Sequence, residues 1–291
     1  MLHYEEPLFR PPCEANSLII QVTLGCPHNR CVFCGMYKMK KYRVRDVGEV
    51  KADLRRARLL YSYVPSIFLA DGNTVAMNSE KLADIIAYAR DLFPEVERVS
   101  SYGGARFLKG KPVEALRRLR EAGLDIIYLG LESGDDEILA RMDKGVDAAG
   151  MIEAARRIRE AGIDLSAYVL LGLGGEDLWL QHAENTARAL NAMQPHYIRP
   201  RTLALLPGIP LYEEAREGRF SEASGETVMR ELRVMLGALE VEDAWFLSDH
   251  ISNYVPVYGH LPEDREKMLA TVDMALGNPG EFLAPRHLTH L

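Results

Sequence analysis

The feature that most constrains the fold is an alternation of short apolar runs with longer amphipathic segments. Six runs rich in β-branched and aromatic residues are each followed by a stretch with helical periodicity. This alternation favours a parallel sheet whose strands are joined by right-handed crossovers. The predicted strands are 17–23, 66–70, 98–102, 125–131, 163–171 and 197–205.

The amphipathic segments predict helices, and their ends carry capping signals. Ser79 is predicted as an N-cap residue, and Gly162 suits a helix C-terminus. The predicted helices are 49–63, 79–92, 112–122, 135–142, 149–161 and 177–193.

Six strand–helix units are fewer than the eight of a closed TIM barrel. We therefore expect an α/β fold, a partial (βα)6 TIM-like barrel with a C-terminal extension that closes its open side. Residues 1–16 form an N-terminal arm, 17–224 the barrel and 225–291 a cover within the same domain. A chain of 291 residues can place all of this around one core.

Composition restricts the partners and the location. The chain has 42 acidic and 35 basic residues, a net charge of -7, which disfavours nucleic acid as a partner. No apolar run approaches the roughly 20 residues that cross a bilayer, and the first residues lack the apolar core of a signal peptide. We expect a cytoplasmic protein without a membrane partner.

The densest chemical signal is a cysteine cluster directly after the first strand. Cys26, Cys31 and Cys34 lie within nine residues, with four and then two residues between them. This pattern indicates a metal site in a reducing compartment. Three thiolates can ligate three irons of a cubane cluster and leave the fourth iron open. Two alternatives stay open, a zinc site completed by Cys13 or His28 and an electron-transfer cluster with a fourth protein ligand.

Polar or glycine-rich turns follow three further strands. They are Asp71-Gly72-Asn73-Thr74, Glu132-Ser133-Gly134 and the segment 172–176. In barrels, the loops after the strand ends carry the chemistry. Each turn also has a structural explanation: an ordinary tight turn, a cap from Ser133 or Asp135, or an acidic residue, Glu176, in a first helical turn.

Taken together, the cysteine loop and the segments SIFLADGNT, LGLESGDDEIL and LLGLGGE resemble the radical S-adenosylmethionine (SAM) superfamily. The resemblance is to the class of Elp3-like enzymes and oxygen-independent coproporphyrinogen oxidases, in a compact "Fe-S oxidoreductase" subgroup. The usual family spacing is three and then two residues, so one extra residue must bulge this loop. The resemblance implies a [4Fe-4S] cluster on Cys26, Cys31 and Cys34, with SAM on the open iron. It also implies an electron donor such as flavodoxin or ferredoxin.

The same resemblance assigns cofactor-binding roles by position. Phe33 meets the adenine, the turn at Gly72 binds the methionine amino group, and Glu132 binds the ribose hydroxyls. The remaining positions implied to bind SAM are Asp71, Asn73, Ser133, Gly172, Leu205 within 203–206, and the cations Lys144 and Arg159, which would neutralise its carboxylate.

Substrate contacts are expected from strand six and the C-terminal cover. Arg199 and Arg201 lie two apart and so on one strand face, where they suit a carboxylate or phosphate. The other candidates are Tyr37, Arg45, His250, Asn253 and Tyr254. Equally, the segment 249–254 is interpreted as a hydrogen-bonded closure of the fold.

The predicted function is SAM cleavage to a 5′-deoxyadenosyl radical that abstracts hydrogen from, or adds to, a small molecule. The alternatives are a tetrapyrrole or tRNA-base substrate, or a non-catalytic metal module. Cys13 is the one cysteine outside the cluster, which is too few for a second cluster.

Overall fold

The computed structural model describes residue 2 and residues 4–283. By contact density the chain divides into two compact units. The first unit holds residues up to 29, 36–129 and 156–165, and the second holds 30–35, 130–155 and the chain from 166 onward.

Ten strands form in chain order: β1 Leu18–Gln21, β2 Thr23–Leu24, β3 Arg43–Val44, β4 Ser66–Ala70, β5 Arg98–Gly103, β6 Ile126–Glu132, β7 Asp164–Leu171, β8 Tyr197–Thr202, β9 Ala244–Ser248 and β10 Val257–Leu261.

The helices alternate with the strands along most of the chain. They are α1 Val47–Leu60, α2 Ser79–Leu92, α3 Ala105–Leu108, α4 Val113–Glu121, α5 Asp136–Arg141, α6 Ala148–Glu160, α7 Gly175–Met193, α8 Pro210–Arg216, α9 Gly225–Gly237, α10 Arg265–Gly277 and α11 Pro279–Phe282. None of the helices in the described part of the chain combines the length and apolarity that a bilayer crossing requires.

In the first unit, β1, β4, β5 and the start of β6 pair in parallel, with Ile19 opposite Phe68 and Ser101 opposite Ile127. All five residues of β4 are buried, as expected for a parallel strand covered on both faces. The short strands β2 and β3 form a separate antiparallel pair.

In the second unit, β7 pairs in parallel with β8, and β8 with β9, whereas β10 runs antiparallel to β9. Along the sheet the strand order is β1-β4-β5-β6-β7-β8-β9-β10. The six predicted strands are therefore present. β9 and β10, which were not predicted, lie in the region expected to be a cover, so this region contributes strands to the sheet. Its closing role stays a prediction.

Several predicted boundaries were wrong. The N-cap of α2 is Asn78 rather than Ser79, because the Asn78 side chain accepts a 3.0 Å hydrogen bond from the Lys81 N–H. Helix α1 ends at Leu60 because Tyr61 is extended, and it begins at Val47 because the Asp46 carboxylate caps it. Strand β8 ends at Thr202, three residues early. Gly162 follows α6 with a φ of 74°, as its predicted terminal role requires.

The N-terminal arm is fixed to the first unit by a buried carboxylate. Glu14 is fully buried, and its carboxylate accepts hydrogen bonds from Ser17, Tyr128, Ser100 at 2.8 Å and Arg98 at 3.2 Å. Four donors compensate the cost of removing this charge from water.

Candidate active site

In the first unit, the cysteine loop begins against the turn that follows β4. A Cβ atom on Gly72 would lie 3.2 Å from the Cβ of Cys26 and 2.7 Å from Cε2 of Tyr37. The Gly72 N–H donates to the Gly25 carbonyl at 3.2 Å. The structure thus brings the predicted turn next to the first cysteine, and close packing there excludes any residue larger than glycine.

Asp71 has partners that the sequence reasoning did not anticipate. Its Oδ2 accepts from Lys40 Nζ at 3.0 Å and from Gln21 Nε2 and the Gly25 N–H at 3.1 Å each. Burial raises the pKa of Asp71, although Lys40 and Gly25 act in the opposite direction. Oδ1 is buried with no hydrogen-bond partner in the described structure. The predicted contact with SAM stays a prediction, and Oδ1 is the acceptor available for it.

Three other candidates of the first unit are held by the protein itself. The Asn73 Oδ1 accepts from the Gly104 N–H at 3.1 Å. Arg45 forms a buried 2.8 Å ion pair with Asp53. Tyr37 is buried and packs edge-on against Phe9, with ring centroids 5.3 Å apart.

Arg159 and Cys13 are the remaining candidate residues of the first unit. Arg159 is exposed on α6, and Cys13 Sγ lies 3.4 Å from the Tyr128 hydroxyl.

In the second unit, β6 ends in a tight turn that projects Glu132. This residue has a φ of 63°, and the Ser133 N–H donates to the Leu131 carbonyl at 2.8 Å, which closes a three-residue turn. The Glu132 Oε1 accepts from Lys144 Nζ at 2.9 Å. A Cβ atom on Gly130 would overlap this Oε1 and lie 3.0 Å from the ammonium nitrogen, so a larger residue would require the ion pair to shift.

Lys144 connects this ion pair to the cysteine loop. Its Nζ lies 5.6 Å from the ring centroid of Phe33. Burial acts to lower the pKa of Lys144, but Glu132 and the thiol groups of Cys31 and Cys34 outweigh burial and raise it. Phe33, Glu132, Lys144 and the two cysteines are therefore neighbours, although their positions span more than a hundred residues of the chain.

The cysteine loop is anchored in the second unit through Val32. Its N–H donates to the Met142 carbonyl at 3.1 Å, and its carbonyl accepts from the Leu211 N–H at 3.0 Å. Phe33 and Leu205 both pack against one apolar cluster of Ile138, Met142, Leu173, Leu203, Ile209, Leu211 and Phe220. The structure thus brings two predicted adenine contacts to the same cluster.

A buried histidine–glutamate pair was missed by the sequence reasoning. His182 Nδ1 lies 2.9 Å from Glu231 Oε1, and His182 Nε2 lies 3.3 Å from the Glu132 carbonyl. Glu231 also accepts from the Gly172 N–H, where φ is 81°. The available signal was a polar residue on the apolar face of each of two helices, because buried polar groups need partners.

The structural interpretations of Asp135 and Glu176 are confirmed, whereas Ser133 is not the cap of α5. Asp135 caps α5, because its Oδ1 accepts from the Ile138 N–H at 3.0 Å. Ser133 Oγ accepts from the Asp135 N–H at 3.0 Å. Glu176 lies in the first turn of α7 and accepts from the Ser224 N–H at 2.6 Å.

The segment 249–254 is hydrogen-bonded to the end of β8. Asn253 donates to the Pro200 carbonyl and to Ser248 Oγ, each at 2.9 Å, and accepts from Thr202 at 3.1 Å. Tyr254 packs at the start of α9, where a Cβ on Gly225 would lie 2.9 Å from its ring. Arg199 and Arg201 lie together on one face of β8, as predicted.

The donor set fits an iron–sulfur cluster and SAM. Within residues 2 and 4–283, no three His, Cys, Asp or Glu side chains are already gathered as a bound metal would require. The fit to the cluster therefore rests on the chemistry of the available side chains. Three thiols are available for iron, and the Lys144 ammonium group lies near Cys31 and Cys34.

Comparison with known proteins identifies the family of this chain. The profile of the radical SAM superfamily matches residues 20–190, more than half of the chain. One curated relative is 4'-phospho-dehydrooxetanocin synthase from Priestia megaterium, 27% identical over 146 residues. This alignment covers 44% of the chain and 20% of the relative, so the chain spans about a fifth of the relative's length.

Solved structures of the same superfamily share the fold. Methylornithine synthase (PylB) matches with a TM-score of 0.54 and 18% identity, over 77% of this chain and 63% of that protein. Coproporphyrinogen III oxidase (HemN) of Escherichia coli matches with a TM-score of 0.58 and 18% identity, over 76% of this chain and 51% of that protein. Elp3 of Methanocaldococcus infernus matches with a TM-score of 0.54 and 12% identity, over 91% of this chain and 63% of that protein. The chain spans about half to two thirds of these proteins, and their fold confirms the predicted α/β partial-barrel class.

Proposed function

Since this chain belongs to the radical SAM superfamily, whose enzymes use a [4Fe-4S] cluster and SAM, we propose that it cleaves SAM reductively and directs the resulting radical to a small-molecule substrate. Hydrogen abstraction and radical addition are the two reaction types that this proposal includes. A cytoplasmic location and a flavodoxin or ferredoxin as electron donor belong to the same proposal.

The observation that carries the proposal is the group of Cys31, Phe33, Cys34, Glu132 and Lys144 in the second unit. In this group Glu132 accepts hydrogen bonds from the ribose hydroxyls of SAM, because a carboxylate is the strongest acceptor for paired hydroxyl donors. Lys144 holds that carboxylate in place at 2.9 Å. The ring of Phe33 and the apolar cluster beside it exclude water from the adenine side.

The cluster ligands in this proposal are Cys26, Cys31 and Cys34. When bound, the cluster supplies the electron that splits SAM into methionine and a 5′-deoxyadenosyl radical. In the first unit, Gly72 offers its backbone beside Cys26, where the amino group of SAM approaches. Asp71, the residue before Gly72, has a buried Oδ1 with no hydrogen-bond partner in the described structure, and this oxygen is the proposed acceptor for the amino group.

Small molecules are the preferred substrate class, and a tetrapyrrole side chain or a tRNA base are the alternatives. The name of the curated relative denotes a phosphorylated molecule, which supports an anionic substrate here. The acidic surplus of the chain, with 42 acidic against 35 basic residues, acts against a nucleic acid.

The decisive experiment is anaerobic reconstitution with iron and sulfide, followed by dithionite and SAM. We expect about four irons per chain and slow release of 5′-deoxyadenosine and methionine, measured by mass spectrometry. Cys26→Ala, Cys31→Ala and Cys34→Ala should each lose the cluster, whereas the matched control Cys13→Ala should keep it. Intact SAM beside a demonstrably reduced cluster would overturn the proposal, as would stoichiometric zinc.

A further inference from the structure

One face of the paired strands β7 and β8 carries two arginines between two tyrosines. Arg199 and Arg201 alternate with the buried residues of β8, and Tyr168 of β7 lies opposite Arg199. The Arg201 guanidinium lies 4.5 Å from the ring centroid of Tyr168, and that of Arg199 lies 5.9 Å from the ring centroid of Tyr197. We call Arg199, Arg201, Tyr168 and Tyr197 the arginine face.

The charge of this face is not balanced by the protein. Within the described residues, neither Arg199 nor Arg201 forms a salt bridge, and Arg199 Nε is buried without a hydrogen-bond partner. Three other half-buried or buried arginines of this chain do have carboxylates. Arg45 pairs with Asp53, Arg58 with Glu95 and Arg90 with Asp125.

Two adjacent, half-buried and uncompensated cations destabilise a fold through mutual repulsion and lost hydration. An anion placed between them would remove both costs. The contact with the tyrosine rings also suits this role, because a guanidinium that packs against an aromatic ring can still offer N–H groups for bidentate contacts with an anion.

His250 adds a neutral donor near Arg201. Burial, and after it the charge of Arg201, lower the pKa of His250 to about 4, so its ring is neutral at pH 7. The Ser252 N–H donates to His250 Nδ1 at 3.1 Å, so Nδ1 is the unprotonated nitrogen and Nε2 carries the hydrogen. Ser252 Oγ in turn accepts from the Thr202 N–H at 3.1 Å, which ties this histidine to the end of β8.

We propose that the arginine face and His250 bind an anionic group of the substrate, a carboxylate or a phosphate, through the two guanidinium edges and the His250 Nε2–H. This inference rests on the proposed function, because it takes the bound molecule to be the substrate of the radical reaction. It assigns Arg199, Arg201 and His250 to substrate recognition. Asn253 belongs to the support of this site, since its side chain already bonds to the end of β8.

The test is a titration of the reconstituted full-length protein with inorganic phosphate and, separately, with acetate. Ionic strength is held constant with chloride, and binding is followed by calorimetry and by melting temperature. We expect saturable binding of one of the two anions, weakened at least tenfold in Arg199→Gln and in Arg201→Gln. Arg188→Gln on the exposed part of α7 is the matched control and should bind like the wild type.

The two anions distinguish a substrate that carries a phosphate from one that carries a carboxylate. Saturable binding of phosphate alone identifies a phosphate-bearing substrate, and binding of acetate alone identifies a carboxylate. Equal affinity in the wild type and both glutamine variants, or no saturable binding of either anion, overturns the inference. Arg201→Lys, which keeps the charge but loses the planar fork, should bind with intermediate affinity and guards against a folding defect in the glutamine variant.

Failure of this inference is separable from failure of the proposed function. Anion binding is measured without SAM turnover, whereas SAM cleavage is measured without substrate. If SAM is cleaved and neither anion binds, the arginine face has another role and the proposed function stands. If an anion binds and SAM stays intact, the proposed function is wrong.

Discussion

Glu132 combines an unfavourable backbone conformation with a half-buried ion pair. Its φ of 63° is rare for a residue with a side chain, and such conformations cost about 1–3 kcal/mol. The Ser133 N–H bond to Leu131 and the His182 contact to the Glu132 carbonyl hold this conformation in place. Strained residues cluster at functional sites, where surrounding contacts compensate the strain.

Glu132→Ala should weaken SAM binding by one to two orders of magnitude. A charge-assisted contact to the ribose contributes about 1.5–3 kcal/mol, which corresponds to this factor. The iron content should be unchanged, because Glu132 is not a proposed ligand. Calorimetric titration of SAM into the reconstituted proteins measures the affinity, and an iron assay measures the iron content. The matched control is Glu121→Ala, an exposed glutamate at the end of α4. Unchanged affinity in the Glu132 variant would leave the residue a structural role only.

Gly130→Ala should weaken SAM binding nearly as much as Glu132→Ala. The added methyl group would overlap Oε1 of Glu132 and press on Lys144 Nζ, so the ion pair must move. Gly237→Ala at the end of α9 is the control, since a Cβ there meets no atom within 4 Å. The same calorimetric titration applies. Wild-type affinity in Gly130→Ala would show that the position of the ion pair is irrelevant to SAM.

At the scale of elements, the loops after β6 and β7 are joined through α7 and α9. His182 of α7 contacts the Glu132 carbonyl, and Glu231 of α9 contacts both His182 and the Gly172 N–H. Burial acts to lower the pKa of His182, but the carboxylate of Glu231 outweighs it and the pKa is raised. The His182–Glu231 pair therefore connects two proposed SAM-binding loops.

Glu231→Gln should reduce stability in a way that depends on pH. A raised histidine pKa stabilises the fold fully below the unfolded value of 6.5 and loses this effect as pH rises through the folded value. The melting temperature difference from wild type should thus be largest at about pH 6 and shrink as the pH rises.

Glu176→Gln is the matched control for this pH series. Glu176 also bonds to the N-terminal end of α9, and its pKa is lowered in spite of burial by its hydrogen bonds to Ser224 and Thr227. Its stabilising effect is lost only at acidic pH, so its melting difference should be flat over the same range. A flat profile for Glu231→Gln as well would mean that His182 is not charged in the folded protein.

For the whole molecule, the net charge of -7 sets the expected response to polyanions. A nucleic-acid site needs a basic surface strong enough to release counterions, and the unpaired cations described here are few and half-buried. The charge balance therefore favours a small anion over a polymer.

The full-length protein should show no binding of bulk tRNA up to about 10 µM at about 0.15 M salt. An electrophoretic mobility assay measures this directly. Salt-dependent binding in the micromolar range would contradict the expectation and would favour the tRNA-base alternative over a free small molecule.

The sequence by itself determined the class of fold and pointed to the proposed location of the chemistry. Strand and helix periodicities are local properties, so the strands β1, β4, β5, β6, β7 and β8 were predictable to within a few residues. The spacing of the cysteines and the turns after the strands were local as well. β9 and β10 were missed because their sequences, AWFLS and VYGHL, have neither a run of β-branched residues nor a regular alternation of apolar and polar residues.

Only the tertiary structure decided which distant residues meet. Lys144 is paired with Glu132, whereas Arg159, an equal candidate in the sequence, is exposed. The Asp71 carboxylate is held by Lys40, and a buried His182–Glu231 pair supports the turn at Glu132. These outcomes depend on the direction of side chains and on the packing between elements, and neither is contained in the periodicity of a single element.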